Sequence, residues 1–144
     1  MAVATSERSL ADANARGRNT LIAHLGIELL EVGDDLVRGR MPVDQRTRTP
    51  AGVLHGGASV AFAETLGTWA AAYSVDAATQ QCVGLEINAN HVRAVRGGYV
   101  YGVARPIHRG KRTHVWEIRI SDEDDKLVCV SRFTVAILDR PSGY

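Results

Sequence analysis

Apolar and small residues run almost without interruption from 58 to 73, in the middle of the chain. A run of this length without a polar face predicts a helix that is buried on every side. His55, Gly56 and Gly57 come directly before it, so we predict that they form the N-terminus of the helix. Glu64 lies inside the run. Because burial of an unpaired carboxylate is costly, it is the first candidate for a functional residue.

Two short helices and a β-hairpin are predicted ahead of this helix. Residues 1–24 form an N-terminal helical segment whose first helix is capped by Thr5 or Ser6. The pattern then gives a second helical piece at 19–25, strands at 27–32 and 36–43 joined by a turn at 33–35, and a polar loop at 44–50.

Four strands are predicted after the helix, at 81–91, 99–108, 113–121 and 127–138. The loop at 122–126 is an acidic hairpin turn, and the tail at 139–144 is expected to fray. Pro106 lies late in its strand and indicates an edge, a bulge or a strand end. In the first of these strands, period-two alternation predicts Val83, Leu85, Ile87 and Ala89 on one face and Gly84, Glu86, Asn88 and Asn90 on the other.

Together these elements predict one α+β domain in which an antiparallel sheet wraps around a long helix. A chain of 144 residues can build one core of this kind and is short for two domains. A single sheet around a single helix leaves one sheet face and at least one edge uncovered, which favours a dimer or a larger assembly.

Charge and composition narrow the class of partner. The 17 Lys and Arg residues nearly balance the 16 Asp and Glu residues, so neither nucleic acid nor a membrane surface is expected as a partner. The N-terminus lacks the continuous apolar segment of a secretion signal, and Glu64 argues against a membrane span in the central run. Cys82 and Cys129 lie in apolar strands without metal-type spacing, so we expect reduced thiols and a cytoplasmic protein.

The candidate chemistry lies at the start and in the middle of the central helix. The first N–H groups of a helix have no partner inside it, and glycine lets another molecule approach closely, so Gly56 or Gly57 could polarise a carbonyl oxygen. Glu64 and Thr68 are four residues apart and share one face of the helix. Taken singly, the glutamate is as consistent with a solvated side chain as with a functional one. The glycines alone are consistent with a tight turn into the helix. Their combination favours a site.

Other chemistries are disfavoured by the sequence. It has no Gly-x-Ser-x-Gly elbow, and its five histidines show no zinc-type spacing. A basic set remains that either binds phosphates or only adds surface charge: His91, Arg93, Arg109, Lys111 and Arg112. With Glu64 as base or nucleophile, this set suits hydrolysis of an activated acyl group on a phosphorylated carrier.

Residues 25–138 resemble the hotdog-fold acyl-CoA thioesterases in which the catalytic glutamate lies on the helix, the group of 4-hydroxybenzoyl-CoA and phenylacetate-pathway thioesterases. The likeness is carried by GVLHGGASVAFAETLG, by VGLEINANHVR and by the late VWEI strand. It implies a hotdog fold and a homodimer that assembles to a homotetramer, with the site shared between subunits. It also implies an acyl-CoA substrate and neither a separate cofactor nor a metal.

The resemblance implies roles for individual residues. Glu64 resembles the catalytic carboxylate, Gly56 the backbone donor to the thioester carbonyl, and Thr68 the hydroxyl that orients the nucleophile. The other matched residues are expected at the substrate: His55 at the thioester or water, Thr49 and Gly57 beside it, and His91, Arg93, Arg109, Lys111 and Arg112 at CoA. Close relatives have glutamine at the position of Thr49 and commonly phenylalanine at that of Ala51, so the acyl pocket is expected to differ in shape.

Three functions stay open at this point. The chain hydrolyses an acyl-CoA thioester with an aromatic or medium-length acyl group, or the same thioester carried on an acyl carrier protein. Alternatively, it binds acyl-CoA without turnover, although no regulatory module is attached to it. A hotdog dehydratase acting on a β-hydroxyacyl chain is the third function, and the placement of Glu64 and His55 disfavours it.

Overall fold

The computed structural model describes residues 7–141, and its elements match the predicted ones closely. In chain order these are α1 Glu7–Arg16, α2 Leu21–His24, β1 Glu28–Val32, β2 Val37–Pro42, α3 Gly56–Tyr73, β3 Gln80–His91, β4 Tyr99–Arg109, β5 Thr113–Ser121 and β6 Leu127–Asp139. The predicted cap at Thr5 or Ser6 lies outside the described residues. The second helix is shorter than predicted, because it begins only after Thr20, whose side chain caps it, and ends at His24.

All six strands belong to one antiparallel sheet, in the order β1-β2-β4-β5-β6-β3. The long helix α3 lies across one face of this sheet and contacts β2 to β6. The register of β4 against β5 shifts between Pro106 and His108, so the predicted irregularity at Pro106 is a bulge. This arrangement confirms the predicted α+β architecture.

The helix α3 is buried on one face only, and the prediction of burial on every side is wrong. Its inner face packs on the sheet through Ala58, Ser59, Phe62, Ala63, Leu66, Gly67, Ala70 and Ala71. Its outer face is open: Gly57 and Thr68 are exposed, and Glu64 is half-buried. The outer face is rich in alanine and threonine, so the sequence looks apolar all round although the chain itself covers only one side.

A bulge in β3 overturns the predicted faces of that strand. The register against β6 shifts between Gly84 and Glu86, which leaves Leu85 without an opposite residue. An extra residue reverses the alternation of side chains beyond it. As a result Ile87 and Ala89 pack against the core, whereas Val83 and Leu85, predicted on the same face, are exposed.

The two edges of the sheet differ in how they are covered. At the β1 edge, the side-chain amide of Asn14 on α1 donates to the carbonyl of Leu29 at 3.0 Å, and its oxygen accepts from the N–H of Leu29 at 2.8 Å. At the other edge, β3 pairs only with β6 within the described chain, and its Leu85 is 62% exposed. The open edge of the sheet is therefore β3.

Residues 139 and 140 are paired with the rest of the chain, although the sequence predicts that the tail frays from 139. Asp139 is still part of β6, and the N–H of Arg140 donates to the carbonyl of Thr79 at 2.8 Å. Residues 142–144 lie outside the described part of the chain. Among the helices of residues 7–141, none is long and apolar enough to span a bilayer.

Candidate active site

The N-terminus of α3 holds one backbone donor in place and leaves another free. His55 is the N-cap, and its Nδ1 accepts a hydrogen bond from the N–H of Gly57 at 2.8 Å. The carbonyl of His55 accepts from Ala58 and Ser59 at 3.0 and 3.2 Å. Within residues 7–141, no acceptor faces the N–H of Gly56. Of the two candidate donors, Gly56 is thus available to a ligand and Gly57 is already bound.

A short two-stranded ribbon fixes the segment that leads into α3. The N–H of His55 donates to Thr47, and the N–H of Thr49 donates to Val53, at 2.8 and 2.7 Å. Thr47 is buried, and its hydroxyl donates to the carbonyl of Pro42 at 2.7 Å. The hydroxyl of Thr49 is buried at the tip of the ribbon and has no hydrogen-bond partner in the described structure.

His91, from the end of β3, joins this helix N-terminus. A Cβ atom on Gly56 would lie 2.9 Å from Nε2 of His91, so the imidazole ring packs directly against the glycine backbone. The absence of a side chain at Gly56 therefore makes room for the ring. The contact places His91 beside the candidate carbonyl site at Gly56.

Glu64 lies farther along α3, against β3. Its Oε1 is 3.1 Å from the position that a Cβ on Gly84 would occupy, and within the described chain the carboxylate has no hydrogen bond or ion pair. Thr68 follows one turn later on the same open face, as predicted, but it does not bond to Glu64. Eight residues separate Gly56 from Glu64, which corresponds to about 12 Å along the helix axis. The donor and the carboxylate of one chain therefore do not meet.

The five basic residues form two groups at opposite ends of the sheet, so the expectation of one basic set does not hold within one chain. On β6, His91 pairs with Cys129 and Gln80 pairs with Asp139. Ten residues of strand, about 33 Å, thus separate the two ends of β3. His91 and Arg93 lie at the end next to the N-terminus of α3. The other three residues, Arg109, Lys111 and Arg112, lie near its C-terminus.

The end of the sheet near the C-terminus of α3 contains a cavity of about 340 Å³, lined in part by Ser74, Gln80 and Lys111. Two of its neighbouring cations are neutralised, because Arg109 pairs with Asp35 at 2.6 Å and Arg112 with Asp139 at 3.1 Å. Lys111 has no ion pair among residues 7–141.

His114 is a buried histidine on the wall of this cavity. Burial lowers its pKa from the ordinary value, and the charges of Arg109 and His108 act in the same direction. The imidazole is therefore neutral at physiological pH, and it adds no further positive charge to the cavity.

Comparison with known proteins decides the family. The model of the thioesterase superfamily matches residues 51–129, which include the whole of α3 and β3. The chain belongs to the thioesterase superfamily. It is 50% identical over 125 residues to the 1,4-dihydroxy-2-naphthoyl-CoA hydrolase of Escherichia coli, covering 87% of this chain and 91% of that protein.

Solved thioesterase structures share the hotdog fold of this chain. A Pseudomonas aeruginosa thioesterase with a glutamine-to-alanine substitution has a TM-score of 0.89 and 47% identity, covering 91% of this chain and 94% of its own. A Staphylococcus aureus thioesterase was solved with a glutamine at its position 32 replaced by alanine, with a TM-score of 0.79 and 41% identity over 81% of this chain and 97% of its own. The same protein was also solved with a glutamate at its position 47 replaced by alanine.

The described part of this thioesterase contains no group of three His, Cys, Asp or Glu side chains placed to hold a metal ion. Its two cysteines, Cys82 and Cys129, are free, and burial raises the pKa of both thiols. Both thiols are therefore protonated and inert as nucleophiles at physiological pH.

Gly84, which lies against Glu64, is absent from the predicted site residues, because strand alternation places it on the face opposite Val83, Leu85, Ile87 and Ala89. The available signal was a glycine in a strand interior, which often marks a bulge or a close approach of another group.

Proposed function

We propose that this thioesterase is a cytoplasmic enzyme that hydrolyses an acyl-CoA with an aromatic acyl group to the free acid and CoA. The observation that carries the proposal is the pairing of a free N–H at Gly56 with an unpaired carboxylate, Glu64, on the open face of the same helix. The aromatic acyl group is inferred from the name of the E. coli hydrolase.

The spacing of residues in a relative supports Glu64 and Thr49 as members of the site. In the S. aureus thioesterase, the substituted glutamine and glutamate occupy positions 32 and 47, which are 15 residues apart. Thr49 and Glu64 have the same spacing here. The equal spacing supports Thr49 as the counterpart of that glutamine, with a shorter side chain whose hydroxyl is buried in the ribbon.

We infer that the complete site forms between two copies of the chain. The N–H of Gly56 and the carboxylate of Glu64 are too far apart along α3 to act on one thioester, and the open edge strand β3 can pair with a second copy. Antiparallel pairing about a two-fold axis places the His91 end of β3 from one copy beside the Gln80 end from the other. The helix N-terminus of one copy then approaches Glu64 of the other. Further pairing of dimers gives the tetramer.

The same pairing supports a CoA site across the interface. It brings His91 and Arg93 of one copy near Arg109, Lys111 and Arg112 of the other, which a single chain keeps at opposite ends. Lys111, which is exposed and has no ion pair in its own described chain, supplies a positive charge for a phosphate group. An acyl carrier protein, whose carrier arm also ends in a thiol, is the alternative donor.

In the reaction, Gly56 donates its N–H to the thioester carbonyl and stabilises the negative oxygen that develops there. Glu64 either removes a proton from the attacking water or attacks the carbonyl carbon itself. His55 holds Gly57 through Nδ1, so the proton of its neutral ring lies on Nε2, which can donate to the thioester or to water. Thr68 orients the nucleophile from one turn farther along. With Glu64 as base, the C–S bond breaks and the proton taken from water passes to the CoA thiolate, which leaves as the thiol. With Glu64 as nucleophile, C–S cleavage leaves an acyl anhydride on Glu64, which water then hydrolyses to the free acid while its proton goes to the thiolate.

The test is release of free thiol from a panel of aryl-, phenylacetyl- and straight-chain acyl-CoA thioesters, with Glu64→Gln measured beside the wild type. We expect turnover to be fastest with aryl thioesters, and Glu64→Gln to lower kcat about a thousandfold or more, since the substitution removes the base or nucleophile. Circular dichroism checks that the variant is folded. Wild-type activity in Glu64→Gln contradicts the proposed mechanism, and tight binding of an acyl-CoA without turnover indicates a binding protein instead.

A further inference from the structure

The ring of Phe133 lies between two glycines, one on α3 and one on β3. A Cβ atom on Gly67 would be 2.5 Å from Cδ1 of Phe133, and a Cβ on Gly84 would be 2.9 Å from its Cζ. Neither contact is possible for a real side chain without movement of the ring or the backbone. The two glycines therefore let α3 and β3 approach Phe133 closely. On the helix, this contact is at Gly67, three residues after Glu64.

The same point on β3 also receives the carboxylate of Glu64. A Cβ on Gly84 would lie 3.1 Å from Oε1, so the ring edge of Phe133 and the carboxylate converge on the space that a side chain at Gly84 would fill. Phe133 is 1% exposed and cannot move without disturbing the core, whereas Glu64 is half-buried and can.

We propose that Gly84, together with Phe133, is a positioning device for the carboxylate of Glu64. Phe133 fixes the separation of helix and strand, and Gly84 leaves the space in which the carboxylate lies against the sheet. This inference rests on the proposed role of Glu64 and adds residues that act on the reaction only through it.

The bulge in β3 explains why the space opens at this place. Gly84 is the last residue before the register shift, and its missing side chain faces α3. Leu85, the extra residue, is exposed, so the bulge admits one more residue without adding a side chain under Glu64. Within one chain, β3 has only β6 as a neighbouring strand, so only β6 has to adjust to the irregularity.

A side chain at Gly84 is expected to affect the chemical step more than substrate binding. An added methyl group pushes the carboxylate away, and a misplacement of about 1 Å at a reacting group costs about a hundredfold in rate. Because Glu64 acts on the reacting atoms and CoA is held elsewhere, KM should change little.

The experiment compares Gly84→Ala with Gly97→Ala in the thiol-release assay. Gly97 is the matched control, since it lies outside the site and a Cβ there meets no atom within 4 Å. The double variant Gly84→Ala/Phe133→Leu removes the ring edge and returns space to the carboxylate. Thermal unfolding and size-exclusion chromatography establish that each variant is folded and has the wild-type oligomeric state.

We expect Gly84→Ala to lower kcat about ten- to a hundredfold with KM within about twofold of wild type, and the double variant to recover part of this loss. Gly97→Ala should match the wild type. Wild-type kcat in Gly84→Ala, or a loss explained entirely by its unfolded fraction, overturns the proposal. Activity of Glu64→Gln, measured in parallel, identifies the separate case in which the proposed function itself fails.

Discussion

At the scale of the residue, two adjacent N–H groups in the first turn of α3 have different roles. The imidazole of His55 caps the N–H of Gly57, which stabilises the start of the helix. The N–H of Gly56 stays free because no capping group reaches it. A single histidine thus keeps the helix N-terminus in place without occupying the donor that a substrate carbonyl would need.

Substitution at Gly56 can remove this donor while keeping the helix. Proline is well tolerated at the first helical position, and the extended backbone of His55, with φ −70° and ψ 129°, suits the residue before a proline. We expect Gly56→Pro to lower kcat about a hundred- to a thousandfold, since it removes one oxyanion donor.

The control for that measurement is Gly56→Ala, which places the same Cβ against His91 but keeps the N–H. Alanine should retain clearly more activity than proline in the thiol-release assay. Equal losses in the two variants would assign the effect to crowding of His91 and would remove Gly56 from the proposed mechanism.

At the scale of the element, one edge strand of the sheet, β1, is covered, and the other, β3, is open. Asn14 on α1 presents one donor and one acceptor to Leu29, as the peptide group of a neighbouring strand would. This covers the β1 edge, where a second copy would otherwise pair. The β3 edge carries exposed Val83 and Leu85 and stays available. This difference supports the proposal that a second copy pairs along β3, the edge strand beside Glu64.

Removal of the amide at Asn14 should expose the β1 edge. We expect Asn14→Ala to lower the free energy of unfolding by about 1 to 3 kcal/mol, because two hydrogen bonds to the backbone are lost. Hydrogen exchange followed by mass spectrometry should show faster exchange at Leu29.

Asn14→Asp is the comparison for this effect, since it keeps the acceptor for the N–H of Leu29 and loses only the donor. Its Leu29 amide should stay better protected than that of the alanine variant. Unchanged exchange at Leu29 in Asn14→Ala would show that α1 does not hold the edge through this contact.

At the scale of the whole molecule, one chain keeps apart the groups that the proposed reaction needs together. The free N–H at Gly56 and the carboxylate of Glu64 are about 12 Å apart along a rigid helix. The two groups of cations are separated by the length of the sheet. In the proposed dimer, antiparallel pairing along β3 would remove both separations, so one symmetry operation would complete the acyl and the CoA portions of the proposed site.

This arrangement predicts complementation between two inactive variants. One chain carries Glu64→Gln and the other Gly56→Pro, and the heterodimer is isolated through two different affinity tags. One of its two sites then combines an intact Gly56 with an intact Glu64, so we expect about half of the wild-type activity per dimer. Each homodimer serves as its own control. A heterodimer as inactive as its parents would place the whole site within one chain.

Local signals in the sequence were enough to predict the elements and the candidate residues of the helix. Hydrophobic periodicity and turn residues are local signals, so they gave β5 at 113–121 without error and most other elements to within a residue or two. His55, Gly56 and Glu64 could be singled out because a glycine pair at a helix start and an acidic residue in an apolar run are visible without knowledge of contacts. The HGGAS and AET residues also carried the family.

The tertiary structure decided the features that depend on distant parts of the chain. The bulge at Leu85 follows from the fit of β3 to β6 and to Phe133, so alternation alone assigned Gly84 to the wrong face. The outer face of α3 is open because a single sheet packs against only one side of the helix. His91 and Lys111 lie at opposite ends of the sheet because β3 and β4, the strands that lead to them, run in opposite directions. Residues that the sequence groups by their chemistry come together only where strand pairing and packing place them, and one chain keeps these groups apart.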